Sequence, residues 1–444
     1  MNIVYPKDVR LIIEKLNSSG FEGYIVGGCV RDCIMNIEPH DWDICTNAKP
    51  DEIESCFDDC KTLDVGKKHG TIGVVINGKL YEITTYRVDG EYLDNRRPES
   101  VEFTSDIKND LSRRDFSINA MAYNETNGLV DPFGGRQDIN NKQIKSVGNA
   151  TERFNEDSLR ILRGLRFASR FDFEIEAETS NAIHLYKELL NNVAYERIRV
   201  ELLGIICGKS AEKILNDYRD VIAVIIPEIT PCFDFEQNTP HHCLDVYRHI
   251  ARSVGNIEGD PLLRLTMLLH DIGKPEACTT DENGRSHFKG HPKISAEIAE
   301  GILKRLRFSN AIIADCLMLI EYHDVRFKGN KKTVKRVAGK IGIDNTKRLF
   351  KIQYADTMAQ SEYLREQKLS DIKTAQTHLD EIIKDSECFS LKQLAVNGHD
   401  IKALGFPDGK QIGDMLNDLY EKVISDELSN DKETLLEYIN KKMS

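Results

Sequence analysis

The 444-residue chain contains no apolar run of eighteen residues, no C-x-x-C pair, no low-complexity segment and no internal repeat. These absences exclude a membrane-spanning helix, a paired-thiolate zinc site and a solenoid. The first residues, Met1-Asn2-Ile3-Val4-Tyr5-Pro6, lack the basic-then-apolar order of a secretory signal, so a cytoplasmic protein is expected. Eleven cysteines are scattered along the chain, and Cys29/Cys33 and Cys56/Cys60 stand at a helical spacing of four. They read as reduced packing residues, not as disulfides or zinc ligands. Positive charge is also short: 60 Lys and Arg face 72 Asp and Glu, a net charge of −12. That balance is superficially unfavourable to a nucleic-acid partner, but it says nothing about local patches. Arg160, Arg163, Arg166 and Arg170 recur at about helical spacing. Lys328, Lys331, Lys332, Lys335, Arg336 and Lys340 crowd one short stretch, which reads first as a solvated charged face and second as a phosphate-binding patch.

What is present begins with Gly27-Gly28-Cys29-Val30-Arg31-Asp32, which follows the apolar run Tyr24–Val26 and precedes Asp41-Trp42-Asp43. A buried strand leading through a glycine pair into a helix lets backbone N–H groups approach an anion. If residues 41–44 form a strand, its period of two places Asp41 and Asp43 on one face, where hard oxygen ligands suit Mg²⁺ and a triphosphate. In that arrangement Gly27, Gly28 and Arg31 position the phosphates, while Asp32 orients Arg31 or caps the helix.

Short apolar runs at 24–26, 42–45, 72–76, 80–85 and 101–103 alternate with helical stretches at 9–17 and 51–57, which predicts a small α/β domain around one mixed sheet. Asn77-Gly78 predicts a hairpin that carries Glu82 on a strand near the aspartate pair. The polar stretch 89–100 reads as a loop. Asp131-Pro132-Phe133-Gly134-Gly135 is a break beyond which the strand pattern stops and apolar residues recur at three and four.

The ordered series GGCVRD, DWD, Tyr81–Arg87 and Arg113-Arg114-Asp115-Phe116-Ser117-Ile118-Asn119-Ala120-Met121-Ala122 resembles the head of the class II tRNA nucleotidyltransferases, the CCA-adding enzymes, and of the related bacterial poly(A) polymerases. The likeness is dense over 24–170 and looser beyond. Ser117 stands where the family usually has Thr. The resemblance implies Glu82 as a third catalytic carboxylate beside Asp41 and Asp43. It also implies nucleotide binding by Arg113, Arg114, Asp115 and Arg163, a loop at 89–100 that helps switch nucleotide choice, and tRNA, CTP and ATP as partners. Asn119, read as lying within an apolar helix, is expected to bond to backbone.

Glu156-Asp157-Ser158-Leu159-Arg160 is similar to the family's EDxxR motif. If Asp157 and Arg160 share a helical face, one acceptor and one guanidinium fork can pair with a nucleobase edge; the alternative is an i,i+3 salt bridge. Further on, His270-Asp271 looks like the central dipeptide of the HD phosphohydrolases. The resemblance makes His249 and Asp356 its partners and His291 and His323 auxiliary ligands, for Mn²⁺, Ni²⁺ or Co²⁺. His399-Asp400, the same dipeptide in a polar turn, reads as structural. Gly398, Gly405, Gly409 and Gly413 before a helix at 415–424 read either as loop glycines or as tRNA-backbone contacts, where the resemblance places such contacts.

The expected architecture is an α/β nucleotidyltransferase head at 1–130 followed by all-α parts: a neck at 131–232, an HD domain at 233–375 and a tail at 376–444. The expected activity is template-independent addition of CCA to tRNA. Within the same class stand a poly(A) polymerase or a CC- or A-adding enzyme; outside it stand an HD phosphodiesterase or an RNA-binding protein with an inactive head.

Overall fold

The computed structural model describes residues 3–90, 100–385, 387–407 and 409–443. The loop expected at 89–100 lies mostly at 91–99, outside the described residues. The chain divides into two compact units, Met1–Pro227 and Glu228–Ser444.

The first unit is built on β1 (Gly23–Val26), β2 (Ile44–Thr46), β3 (Lys61–Gly66), β4 (Thr71–Ile76), β5 (Lys79–Thr85), β6 (Arg87–Asp89), β7 (Val101–Phe103), β8 (Ala122–Asn124) and β9 (Gly128–Val130). A mixed sheet runs in the order β3-β4-β5-β2-β1-β8-β9, while β6 and β7 pair separately. Only β2 and β5 run parallel as neighbours in this sheet. Every residue of β1 and β2 is buried, as central strands require, with Thr46 the polar side chain among them. The helix Lys7–Ser18 covers the sheet with Val9, Ile12, Ile13 and Leu16, one apolar stripe. Asn77 and Gly78 both have positive φ, 51° and 78°, and make the tight hairpin between β4 and β5.

Three local expectations are corrected. Asp41–Asp43 precede β2 instead of lying within it, although Val26 N donates to Asp43 O at 3.0 Å and so carries the ladder one residue back. Asn119 ends a 3₁₀ turn, Ser117–Asn119, and not an apolar helix, because the following residues are drawn into β8 against β1. Beyond residue 135 the strand pattern does not stop completely: Gln143–Ile144 pairs with Glu174–Ile175. The remainder of this unit is helical, and it includes Ala150–Glu156, Leu159–Phe171 and Tyr195–Ile206.

The second unit is mainly helical, through Val246–Asn256, Pro261–Leu269, His291–Arg305, Asn310–Tyr322, Lys331–Ile341, Ile343–Ala359 and Arg365–Lys384. Asp245, Asp260 and Asn330 cap three of these helices by accepting from backbone N–H groups. Thr279–Thr280 and Ser286–His287 form a small hairpin. The tail packs a core of its own, including Leu394, Ile401, Leu419, Leu435 and Ile439. Two tail glycines are not in loops: Gly398 opens the helix Gly398–Ala403 and Gly413 lies inside Lys410–Ile424. Asp400 closes a capping box with Asn397 and binds Lys432 at 2.7 Å, a structural role for the His399-Asp400 dipeptide. Much of the lysine cluster is paired within the unit: Lys331 and Lys335 bind Glu387 at 2.6 and 2.8 Å, and Arg336 binds Glu421.

Candidate functional site

Two groups of carboxylates stand out, one in each unit. In the first unit β2 and β5 pair Ile44 with Ile83, so the register places Asp43 opposite Glu82. Tyr81, Ile83 and Thr85 point into the core, and Glu82 alternates to the open face. Asp41 is 83% exposed and bonds His40 at 2.9 Å. The surrounding protein pushes the Asp43 carboxyl above its ordinary value; Arg114 opposes the rise and Asp41 adds to it. A cation at the exposed carboxylates would relieve that repulsion, and such an open oxygen set suits Mg²⁺ carried in with a phosphate.

Gly27 has φ +79°, and a Cβ there would lie 2.6 Å from Arg114 Nη1. The positive φ therefore favours glycine, and the tip of Arg114 packs against the space that a side chain would take. Arg113 and Arg114 are held by Asp110, which receives Arg113 at 2.8 and 3.0 Å and Arg114 at 3.5 Å. Asp110 is fully buried, and although burial raises its carboxyl, the two guanidinium groups outweigh that and hold it below the ordinary value. The sequence reading missed Asp110; its signal was a carboxylate three and four residues before the arginine pair.

Arg31, expected to position the phosphates, is instead 5% exposed, with its guanidinium against the rings of Phe167 and Phe171. It donates to Asp32 at 2.6 and 2.8 Å and to Asn119 Oδ1 at 2.5 Å. Asp32 thus orients Arg31. Asn119 donates in turn to Asp115 at 3.0 Å, and Asp115 receives Arg163 Nε at 2.7 Å. Asn119 therefore links side chains and does not serve the backbone alone. Burial raises the Asp115 carboxyl, but Arg163 and Asn119 outweigh burial and lower it to about 2. The chain Asp32–Arg31–Asn119–Asp115–Arg163 ties the glycine turn to the helix Leu159–Phe171.

Asp157 and Arg160 do not share one helix, which corrects the expected i,i+3 arrangement. Asp157 is the extended residue between Ala150–Glu156 and Leu159–Phe171, with φ −137° and ψ 101°. It receives Arg197 at 2.9 and 3.2 Å, whereas Arg160 binds Glu156 at 2.7 Å and the Arg113 carbonyl at 2.8 Å. The salt bridge between them is not formed either. Arg197 lies forty residues from Asp157, and no local spacing could have found it.

In the second unit His249, His270, Asp271 and Asp356 bring ligand atoms within 4.8 Å of one another, and Asp271, His291 and His323 form a second such group. Asp271 belongs to both. The four imidazoles share one posture: Nδ1 of His249, His270, His291 and His323 lies 3.4, 2.7, 2.8 and 2.7 Å from the carbonyls of Ala359, Met267, Phe288 and Ile320. A carbonyl only accepts, so each Nδ1 carries the proton and each Nε2 is directed to the cluster. His249 Nε2 lies 3.0 Å from Asp356 and 3.2 Å from Asp271, His270 Nε2 3.2 Å from Asp271, and Asp271 Oδ1 3.2 Å from His291 Nε2, yet His249 Nε2, His270 Nε2 and Asp271 Oδ1 complete no well-aligned hydrogen bond, and a metal ion among them would satisfy all three. Burial lowers His270, but Asp271 and Asp356 outweigh it and hold the imidazole up to about 10. Lys274 pairs with Asp271 at 2.7 Å.

Residues 23–145 match the family model described as "Poly A polymerase head domain", 172–233 the one described as "Probable RNA and SrmB- binding site of polymerase A", and 279–439 the one described as "tRNA nucleotidyltransferase domain 2 putative". The CCA-adding enzyme of Enterococcus faecalis is 31% identical over 439 residues, 99% of this chain and 96% of that protein. The CCA-adding enzyme of Staphylococcus aureus strain MRSA252 is 46% identical over 217 residues, 49% of this chain and 54% of that protein. The crystal structure of the Bacillus stearothermophilus CCA-adding enzyme in complex with CTP is similar with TM-score 0.72 and 25% identity, covering 99% of this chain and 98% of that one. The Thermotoga maritima CCA-adding enzyme complexed with tRNA shares the fold, with TM-score 0.62 and 22% identity over 100% of this chain and 97% of that one.

Proposed function

The chain belongs to the family of CCA-adding enzymes, and from that premise we propose that it adds CCA to the 3′ end of tRNA from CTP and ATP, with release of pyrophosphate. The relationship to the E. faecalis enzyme across 99% of the chain carries this reading. Asp41, Asp43 and Glu82 are the proposed ligands of Mg²⁺, which supplies charge neutralisation at the triphosphate and activation of the RNA 3′-hydroxyl. Arg113 and Arg114, oriented by Asp110, face the phosphates. Gly27 and Gly28 leave room for the nucleotide's approach. Arg31 acts through Asn119 and Asp115 to position Arg163. Asp157 and Arg160, oriented by Arg197 and Glu156, offer the acceptor and donor fork that read a base edge.

The test is to incubate the protein with tRNA lacking its last three nucleotides, offer CTP and ATP separately and together, and sequence the ends. Addition of CCA alone is expected. Long A tracts would indicate a poly(A) polymerase, and ends stopping at CC or accepting only A would indicate a partial enzyme.

The buried cluster favours a second activity. His249, His270, Asp271 and Asp356 are proposed to hold Mn²⁺, Ni²⁺ or Co²⁺, with His291 and His323 completing a neighbouring position, and to support hydrolysis of phosphate esters. We further propose the four-part division at 130/131, 232/233 and 375/376, supported at its end by the tail's own core. A cytoplasmic location is proposed on the eleven cysteines, all of them free.

A further inference from the structure

On the reading that Asp41 and Asp43 hold the metal that arrives with the nucleotide, we propose that Trp42 is a positioning residue: its ring, docked on Tyr5, fixes the two carboxylates at the spacing an ion needs. Trp42 is the only tryptophan of the chain. Ile44, Ile25 and Tyr123 stand in one row across β2, β1 and β8. That row lies on the sheet face under the helix Lys7–Ser18, since a Cβ on Gly23, two residues before Ile25, would meet Leu16 Cδ1 at 3.2 Å. Trp42 stands two residues before Ile44 and turns to the same covered face. Asp41 and Asp43, one on each side of it, turn to the open one.

An aromatic bracket receives Trp42 on the covered face. Its ring meets Tyr5 edge-on, with centroids 6.4 Å apart and planes at 65°, and Tyr5 meets Tyr123 in the same manner at 6.4 Å and 71°. Tyr5 is buried, and Tyr123 belongs to β8. Arg10 lies over the Tyr5 ring, 5.8 Å from its centroid, and binds Glu125 at 2.5 Å, just beyond β8. The bracket therefore runs from the sheet through Tyr5 to the residue between the two carboxylates.

Little else holds that segment. Ile37 N donates to Asp32 O at 2.8 Å and Val26 N to Asp43 O at 3.0 Å; between these two bonds, residues 38–42 take part in no backbone–backbone hydrogen bond among the described residues. The Asp41 side chain bonds its neighbour His40, and both are exposed, so that pair anchors neither to the sheet. The position of Asp41 thus rests on the ring beside it. An edge-to-face pair prefers one geometry and biases the segment toward it. Without the ring the carboxylates keep their chemistry but spread over several arrangements, and an ion binds the competent fraction alone, so its apparent affinity falls by that fraction. Saturating metal restores the population and with it the rate.

The test uses the full chain and its variants Trp42→Leu, Trp42→Phe and Tyr5→Leu. CCA addition is followed against Mg²⁺ concentration. In parallel, the fluorescence of Trp42 is followed as Mn²⁺, a paramagnetic quencher, is added with CTP in the absence of tRNA. Trp42→Leu and Tyr5→Leu are expected to raise the half-maximal Mg²⁺ concentration by about tenfold, with the rate at saturating Mg²⁺ within about threefold of wild type. Trp42→Phe keeps a ring edge for Tyr5 and is expected to stay within about threefold at every concentration. Quenching is expected in wild type, with its midpoint about tenfold higher in Tyr5→Leu, where the reporter is retained and its bracket is lost. A rate lowered equally at all Mg²⁺ concentrations, a Phe as costly as Leu, or a quenching midpoint unmoved by Tyr5→Leu overturns the positioning role and leaves the metal reading standing. Quenching that persists unchanged in Asp41→Asn/Asp43→Asn overturns both, because the ion then lies elsewhere.

Discussion

Asp41 of the first unit and Asp271 of the second are both proposed metal ligands, yet Asp41 is 83% exposed beside His40 and Asp271 is 1% exposed among four imidazoles. Burying charges is costly unless every ligand is paired and oriented. The second unit meets that demand with four Nδ1–carbonyl bonds that aim the Nε2 atoms before any ion arrives. The first unit leaves its carboxylates on an open sheet face, where an ion can enter with the nucleotide and leave with pyrophosphate. Burial would thus separate the metal proposed to reside in the second unit from the one proposed to travel with substrate in the first. The arginines around the open site are the reverse: Arg31, Arg113 and Arg160 are bound by Asp32, Asp110 and Glu156, so the cationic wall is fixed although the metal ligands are not.

The largest effects should break the comparison cleanly. Asp43→Ala is expected to lower CCA addition by at least about a thousandfold, on the order of 4 kcal/mol of transition-state stabilisation, with thermal stability almost unchanged. Asp271→Ala is expected to abolish Mn²⁺ retention and phosphate-ester hydrolysis while addition proceeds at the wild-type rate. Parallel primer-extension and metal analyses decide it. One variant losing both functions while still folded would show that the two sites are coupled.

A smaller effect sharpens the contrast between a fixed wall and open ligands. The folded-state carboxyl of Asp115 sits at about 2, below the ordinary 3.8. Its depressed value means that its stabilisation is fully present above the unfolded value and is lost as pH falls through the folded one. The shift corresponds to about 2 kcal/mol at pH 7, with about half of it gone at pH 3. Asp115→Asn should therefore be less stable than wild type by about that amount at pH 6, and the gap should narrow toward pH 3 in urea titrations. A gap independent of pH would remove the ionised Asp115–Arg163 pair as its cause.

These particulars also show which parts of the molecule are legible in its residues. The Asn77-Gly78 hairpin and the all-apolar strand at 24–26 follow from local chemistry, and the structure has both. The His–Asp cluster is legible only through the order in which its residues occur, as a resemblance, and the structure gathers the six side chains into two groups that share Asp271. Asp157 misled because the spacing of three was read as one continuous helix, whereas the helix breaks at Asp157 itself. Strand β3 offers no alternating pattern, being an exposed edge recognisable only through its pairing with β4. Asp110 and Arg197 are support residues, whose importance lies in what they hold and not in any motif.

Base choice gives the next effect. If Arg197 orients the Asp157 acceptor, Arg197→Ala should lower discrimination between CTP and UTP by about tenfold in kcat/KM, equivalent to about 1.4 kcal/mol, and leave KM for tRNA unchanged. Competition assays across the four nucleotides measure it. A uniform loss for all four, without change in their ratios, would assign Arg197 to the stability of the helix Tyr195–Ile206 alone.

The smallest effect concerns the cations of 328–340, which the sequence leaves open between a solvated face and an RNA-binding patch. Arg336 is 46% exposed and pairs with Glu421, 44% exposed, while Lys335 is 3% exposed between Glu387 and Asp426. Exposed pairs of the first kind contribute less than about 1 kcal/mol, and they are already neutralised by carboxylates within their own unit. Arg336→Ala should therefore lower stability by a few tenths of a kcal/mol at low salt and by less at high salt. The affinity for tRNA should keep its dependence on salt. A phosphate contact behaves differently, because each one removed reduces the slope of log K against log salt by roughly 0.7–0.9. Filter binding of tRNA to wild type and Arg336→Ala from low to moderate salt separates the two: parallel lines assign this helix to tying the tail to the rest of its unit, and a shallower line for the variant assigns it to the RNA.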